Sequence, residues 1–249
     1  MSQPDRALFF DFGGTLFSYT GVHGKAFYPI LAEATRRLGV NSEPREARRA
    51  YWKASGEAFR EFNPKPYYLH KDLFHGTFRR FSERLGVPPE QDFVDWLYDQ
   101  QREMFYTGCA LRDDCLETLT QLRDQGCYLS IVSNIDDDYL LPMMKRTGLD
   151  SVLHHWTSSE EAQSCKPDGG IFKLAMSKAQ IAPERVIFVG DSAHHDVLGA
   201  NRIGMRTVLI QEPGVSAPGT ETEKHGEPDH IIEQLAELIP IVRDHLPPG

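Results

Sequence analysis

The chain has 249 residues, 40% of them hydrophobic and 25% charged, with a formal net charge of −9. That is the make-up of a soluble globular protein of one large domain or two small ones. The acidic balance excludes nucleic acid as the main partner, since a phosphate backbone needs a basic footprint, but leaves room for a small anionic substrate that answers to the local field.

From the N-terminus, residues 1–6 are polar and unlike a signal peptide, and no later apolar run approaches a membrane span. Leu8-Phe9-Phe10 reads as a buried strand reaching Asp11, and Gly13-Gly14 as the turn at its end. Residues 17–24 read as a hinge or loop. Helical spacing then runs over about 25–38, stopped by Gly39, over 43–62, ending before Asn63-Pro64, over 71–85, stopped by Gly86 and Pro88-Pro89, and over 90–104. Alternation follows: a helix over 113–125, a strand over 127–132 ending in Ser133-Asn134, a helix over 137–147 that Pro142 is expected to delay or kink, and a strand over 152–157. A helix over 170–179, a strand over 186–189 ending in Gly190-Asp191, a helix over 196–203, and strands at 207–210 and 230–232 complete the pattern. Residues 212–228 read as a polar surface loop. Cys109, Cys115, Cys127 and Cys165 form no CxxC pair, so free thiols in the cytoplasm are expected rather than a metal knuckle.

Strands alternating with helices predict an α/β, doubly wound Rossmann-like core with a parallel sheet. The four early helices predict an inserted all-helical cap, residues 18–109, on a core of residues 1–17 and 110–249. Such an insertion follows the first strand and can act as a lid. Asp11, Ser133, Asn134 and Asp191 all fall at strand ends, where open α/β sheets bind ligands. Asp11 is expected to face a cation or a cluster of N–H groups, or else to cap its turn. Carboxylates of Asp11, Asp191 and Asp196 gathered in one crevice would repel each other, and a divalent cation such as Mg²⁺ relieves that. With a hydroxyl from Ser133 and a charge from Lys166, the set resembles a phosphoryl-transfer site.

In order and spacing, these segments resemble the haloacid dehalogenase superfamily over nearly the whole chain. The resemblance implies a hydrolase acting on a small phosphorylated metabolite. It makes Asp11 the nucleophile, forming an aspartyl intermediate, and Lys166 the cation that neutralises it. It puts Ser133, Asn134, Gly14 and Thr15 beside the substrate. It makes Asp11, Asp191, Asp196 and the Gly13 carbonyl the Mg²⁺ ligands. It says nothing of the oligomeric state.

The chain departs from the family's phosphatases at Gly13, where they carry a second Asp as general acid and base. That leaves a good leaving group, or a proton from His70, Lys71 or His75 in the cap. It also keeps open phosphonate or haloacid C–X cleavage and a non-catalytic ligand-binding descendant. Dehalogenases need no metal, whereas Asp191 and Asp196 look like the metal-binding version. A Schiff-base lysine would have to be Lys25, Lys53, Lys65 or Lys71, none in a recognisable context. His194, His195, His154-His155-Trp156, Tyr67-Tyr68, Trp52 and the Arg45, Arg48, Arg49 face read as packing or solvated surface.

Overall fold

In the computed structural model, which describes residues 5–18, 26–211 and 226–246, six strands form one parallel sheet. Strand β1 is Ala7–Phe10, β2 Tyr128–Ser133, β3 His155–Ser158, β4 Val186–Gly190, β5 Arg206–Ile210 and β6 His230–Ile232. Every residue of β1 and β4 is buried, as a strand covered on both faces requires, and neither sequence alternates polar with apolar. The order is β3-β2-β1-β4-β5-β6. The chain therefore winds outward from β1 in one direction and from β4 in the other, and their junction is the switch point where such sheets hold ligands. Phe10 lies beside Ile131 of β2 on one side and Val189 of β4 on the other.

Between β1 and the rest of the sheet the chain forms four helices: α1 Tyr28–Arg37, α2 Pro44–Phe62, α3 His70–Arg84 and α4 Gln91–Gly108. They divide from the sheet as a separate compact unit, Tyr19–Cys109, against Met1–Ser18 with Ala110–Gly249. Within the helical unit Phe27, Leu31, Tyr51, Phe78, Phe81, Val94 and Leu97 are buried, and the rings of Phe27 and Tyr51 meet edge to face at 4.7 Å.

In the sheet unit, α5 (Cys115–Asp124) leads into β2. Helices α6 (Asp137–Thr147) and α7 (Leu149–Val152) lead into β3, and α8 (Ser159–Ala162) and α9 (Gly169–Ala179) into β4. Helix α10 (Leu198–Arg202) precedes β5, and α11 (Leu238–His245) follows β6. Phe9, Val132 and Phe188 of the sheet share a core with Ile171, Phe172 and Ala175 of α9. Leu8 and Phe10 point to the opposite face by the pleat. No helix among the described residues is long and apolar enough to cross a membrane.

Several elements differ from the sequence reading, among them α8, a single helical turn that it does not contain. The strand expected to start at 152 starts at His155, because Gly148, at φ 76°, ends α6 and turns the chain into α7 first. The helix expected over 196–203 opens earlier, in a wide turn at Ala193–Val197. Helix α11 was not anticipated; its end is held by Arg6, whose Nη1 donates to the Leu246 carbonyl at 2.9 Å and whose Nη2 donates to Gln125 at the end of α5. A cation suits the carbonyl ends of helices. Pro142 stands inside α6 without delaying its start. Of the two expected loops, residues 19–24 and 212–225 lie outside the described residues.

Candidate active site

Asp11 follows β1, and its N–H still pairs with the Val189 carbonyl of β4 at 2.9 Å. Asp191 follows β4 directly, so adjacent strands deliver both carboxylates to one edge of the sheet. Two glycines make room for them. A Cβ on Gly14 would stand 2.1 Å from Asp191 Oδ2, and Gly14 holds a φ of +81° that other residues resist. A Cβ on Gly190 would stand 2.3 Å from the Asp196 carboxyl carbon. Asp196 is buried, and the turn from Ser192 aims it inward: the Ser192 N–H donates to Asp196 Oδ2 at 3.0 Å, and the His195 N–H to Ser192 Oγ at 3.1 Å.

Ser133, at the end of β2, donates its hydroxyl to Asp11 Oδ1 at 2.8 Å. Lys166, buried, donates Nζ to the same oxygen at 2.6 Å and to Asp196 Oδ1 at 2.7 Å. Its loop is braced on both sides. Asp168 caps α9 through the Gly170 N–H and accepts the Ser164 hydroxyl, and those two bonds hold its carboxyl below the usual range. Asn134 receives the Lys166 N–H on Oδ1 at 2.6 Å and donates Nδ2 to the Lys166 carbonyl at 3.0 Å. Both ends of the Asn134 amide thus brace the lysine's main chain.

Each of Asp11, Asp191 and Asp196 offers a carboxylate oxygen, and these lie within 4.8 Å of one another. One buried lysine does not balance them. Burial, then the charges of Asp11 and Asp196, push the Asp191 carboxyl well above the usual range, with Lys166 pulling partly back. Burial pushes Asp196 up to about 6, with Lys166 pulling it down and Asp11 pushing it up. Burial alone would lower the Lys166 ammonium; Asp11 and Asp196 outweigh it and raise it. A hard divalent cation fits this donor set, since carboxylate oxygens are its preferred ligands and its charge would cancel the excess. Gly13 pairs with Phe17 in an isolated bridge of the same loop.

The raised Asp196 predicts a stability effect. Between pH 3.8 and about 6 the folded chain keeps a proton that the unfolded chain has released. Stability from this group is therefore present at low pH and lost as pH rises through the folded value. His75 and His154, lowered first of all by burial, act oppositely over a neighbouring window, so the comparison must be with Asp196→Asn. In chelator, that variant is expected to gain a few degrees of Tm on the wild type between pH 5 and pH 7.5. Melting curves that run parallel would refute the assignment.

Other expected residues are engaged elsewhere. In the helical unit His75 sets its ring against Tyr98 at 5.1 Å, with Nε2 3.7 Å from Asp95. Lys71 lies over Tyr98, and His70 packs between Tyr68 and Phe74. Lys65 lies over Phe62, Lys53 is exposed, and Lys25 lies outside the described residues. Trp52 is exposed beside Tyr51, and Arg48 lies over Tyr28. His194 and His195 stack edge to face within the Ser192 turn. His154 packs on Tyr128 and accepts the Leu129 N–H. All four cysteines are free and buried. Sequence reasoning missed Ser159, whose Oγ accepts the Ile135 N–H behind Ser133-Asn134. It also missed Arg112, which grips the loop after Asp11.

Comparison with known proteins gives a consistent picture. A family model described as haloacid dehalogenase-like hydrolase matches residues 6–204. A ribulose-1,5-bisphosphate 5-phosphatase of Halopiger xanaduensis is 27% identical over 243 residues, 95% of this chain and 98% of that one. An (S)-2-haloacid dehalogenase 4A of Burkholderia cepacia is 33% identical over 137 residues, 55% of this chain and 57% of that one. Among solved structures, the putative hydrolase YfnB of Bacillus subtilis, bound to magnesium, superposes with a TM-score of 0.74 at 20% identity, covering 95% of this chain and 98% of that one.

Proposed function

This chain belongs to the haloacid dehalogenase-like hydrolases, and on that footing we propose that it is a magnesium-dependent phosphatase of a small phosphorylated metabolite, working through an aspartyl-phosphate on Asp11. The observation that carries this reading is the bridge of Lys166 between Asp11 and Asp196, with Asp191 beside them. A single halide-displacing carboxylate needs no such cluster. Three acids within reach of one another suit a site that handles a cation and a phosphoryl group together.

In this proposal Asp11 attacks phosphorus, and Ser133 and Lys166 hold its carboxylate in one orientation. The same hydroxyl and ammonium are the donors that the phosphoryl oxygens meet as charge builds on them. Asn134 keeps Lys166 from retreating. Asp11, Asp191 and Asp196, with the Gly13 carbonyl, would hold Mg²⁺, which when bound supplies positive charge against the phosphoryl oxygens. Gly14 and Thr15 would line the substrate. The helical unit, inserted next to this loop in the chain, would act as the cap and carry selectivity. Free buried thiols accord with the reducing cytoplasm.

The test is a panel of phosphomonoesters and acyl phosphates with Mg²⁺ and with chelator, run beside a panel of 2-haloacids. Phosphate release that requires the metal is expected. Halide release in chelator would replace this reading with C–X cleavage. Ligand binding without turnover on any substrate would make the chain a non-catalytic descendant.

A further inference from the structure

Arg112 lies where the chain re-enters the sheet unit from the helical one. It makes three hydrogen bonds to three consecutive carbonyls of the segment after the nucleophile. Its N–H donates to Leu16 O at 2.9 Å, its Nε to Thr15 O at 2.8 Å and its Nη2 to Gly14 O at 2.6 Å. The preceding residue, Leu111, pairs with Phe17 in an antiparallel bridge. The segments that leave for the helical unit and return from it are thus tied together at their base.

We propose that Arg112 is a positioning residue for the reaction at Asp11, fixing the Gly13–Leu16 loop through its carbonyls. The loop's other main-chain ties lie at its ends: the Leu16 and Phe17 N–H groups donate to the Phe12 carbonyl at 3.0 and 3.3 Å, and Gly13 bridges Phe17. The Gly14 and Thr15 carbonyls between them are held by the guanidinium. The loop contains two adjacent glycines, the most permissive backbone there is. Thr15 is fully buried, yet its hydroxyl has no hydrogen-bond partner among the described residues. At the same time the loop tolerates almost no displacement. The Asp191 carboxylate occupies the place where a Cβ on Gly14 would stand. A shift toward Asp191 meets that carboxylate, and a shift away opens the wall beside it.

The guanidinium suits the task because its planar fork reaches two neighbouring carbonyls at once, and a lysine ammonium cannot copy that geometry. It also has an electrostatic effect. The Gly14–Thr15 peptide is trans, so its N–H points away from the guanidinium that holds its carbonyl. A cation on the carbonyl polarises the peptide and makes that N–H a stronger donor.

The kinetic side of this inference rests on the hydrolase reading above; the exchange side does not. Arg112→Ala and Arg112→Lys are to be compared with the wild type for kcat, KM, Tm and amide hydrogen exchange. For Arg112→Ala a fall in kcat of about 10²-fold is expected, the scale of an ångström of misplacement, with KM little changed. Added guanidinium is expected to restore much of that rate, and ammonium to restore none. Arg112→Lys keeps the charge and loses the fork, so it should fold and still be slow. In both variants the amides of residues 13–16 should exchange faster while those of β1 stay protected.

Variants that fold, turn over normally and protect residues 13–16 as before would overturn the proposal. So would a lost rate that guanidinium fails to restore, with protection lost across the whole sheet, since that pattern is plain destabilisation. A wild type with no turnover at all would end the phosphatase reading and leave the exchange comparison to decide on Arg112.

Discussion

Asp11→Asn is expected to abolish phosphate release, lowering kcat by about 10⁴-fold or more, the scale seen when a covalent nucleophile is removed. The amide keeps the size of the side chain and an oxygen to accept from Ser133 and Lys166, which now meet at Asp11 Oδ1. What it loses is the negative charge, and with it the nucleophilicity that the proposed attack on phosphorus requires. The fold should survive and even gain, because the charge of Asp11 pushes up both Asp191 and Asp196. Removing it relieves that repulsion, while Lys166 retains Asp196 as a partner. The expected signature is a folded protein, no less thermostable in chelator than the wild type, that releases no phosphate. A stop in turnover with a collapse in Tm would mean Asp11 is chiefly structural. Turnover within tenfold of wild type would remove Asp11 from the chemistry altogether.

That such a site could be read from residues alone has a physical basis. Desolvating a carboxylate is costly, so an acid at the end of a buried apolar run needs a partner, and Asp11, Ser133 and Asp191 all end such runs. In a parallel sheet those ends gather on one edge, which is why residues 11, 133 and 191 converge. What stayed hidden depends on main-chain geometry. Arg112 binds carbonyls 97 and 98 residues away, and a carbonyl carries no residue identity that a sequence could display. The bracing of Lys166 by Asn134 was hidden for the same reason, since the Lys166 peptide that the amide meets lies 32 residues on. Helix α11 was obscured by Pro240, which falls in the first turn, where proline costs nothing. The start of β3 was missed because the turn at Gly148 is set by a left-handed φ that its neighbours do not announce.

Turnover is expected to depend steeply on the leaving group, and the reason is Gly13. In the proposed reaction Asp11 attacks phosphorus, the bond from phosphorus to the ester or anhydride oxygen breaks, and the departing group takes the electron pair as an anion. Water then attacks the aspartyl-phosphate; its protons leave with the inorganic phosphate, and Asp11 returns as a carboxylate. The second cleavage already expels a carboxylate, a good leaving group, so the first is where a proton donor matters. A side chain at position 13 could supply one, and glycine has none. Asp196 already accepts from Lys166 and Ser192, and His75 is packed against Tyr98 within the helical unit. Lack of a general acid costs about 10²–10⁴-fold when the departing oxygen is basic, and little when it is acidic. Acyl phosphates and aryl phosphates should therefore be turned over well, and alkyl phosphates slower by about that factor. Gly13→Asp is the informative variant. Unlike Gly14, Gly13 is not among the glycines of positive φ, so a side chain there meets no left-handed backbone strain. It is expected to raise alkyl phosphate turnover by up to about 10²-fold and leave acyl phosphates nearly unchanged, so that the two substrate classes converge. Alkyl and acyl phosphates turned over at equal rates by the wild type would show that a proton donor is already in place, supplied by some other side chain of the protein.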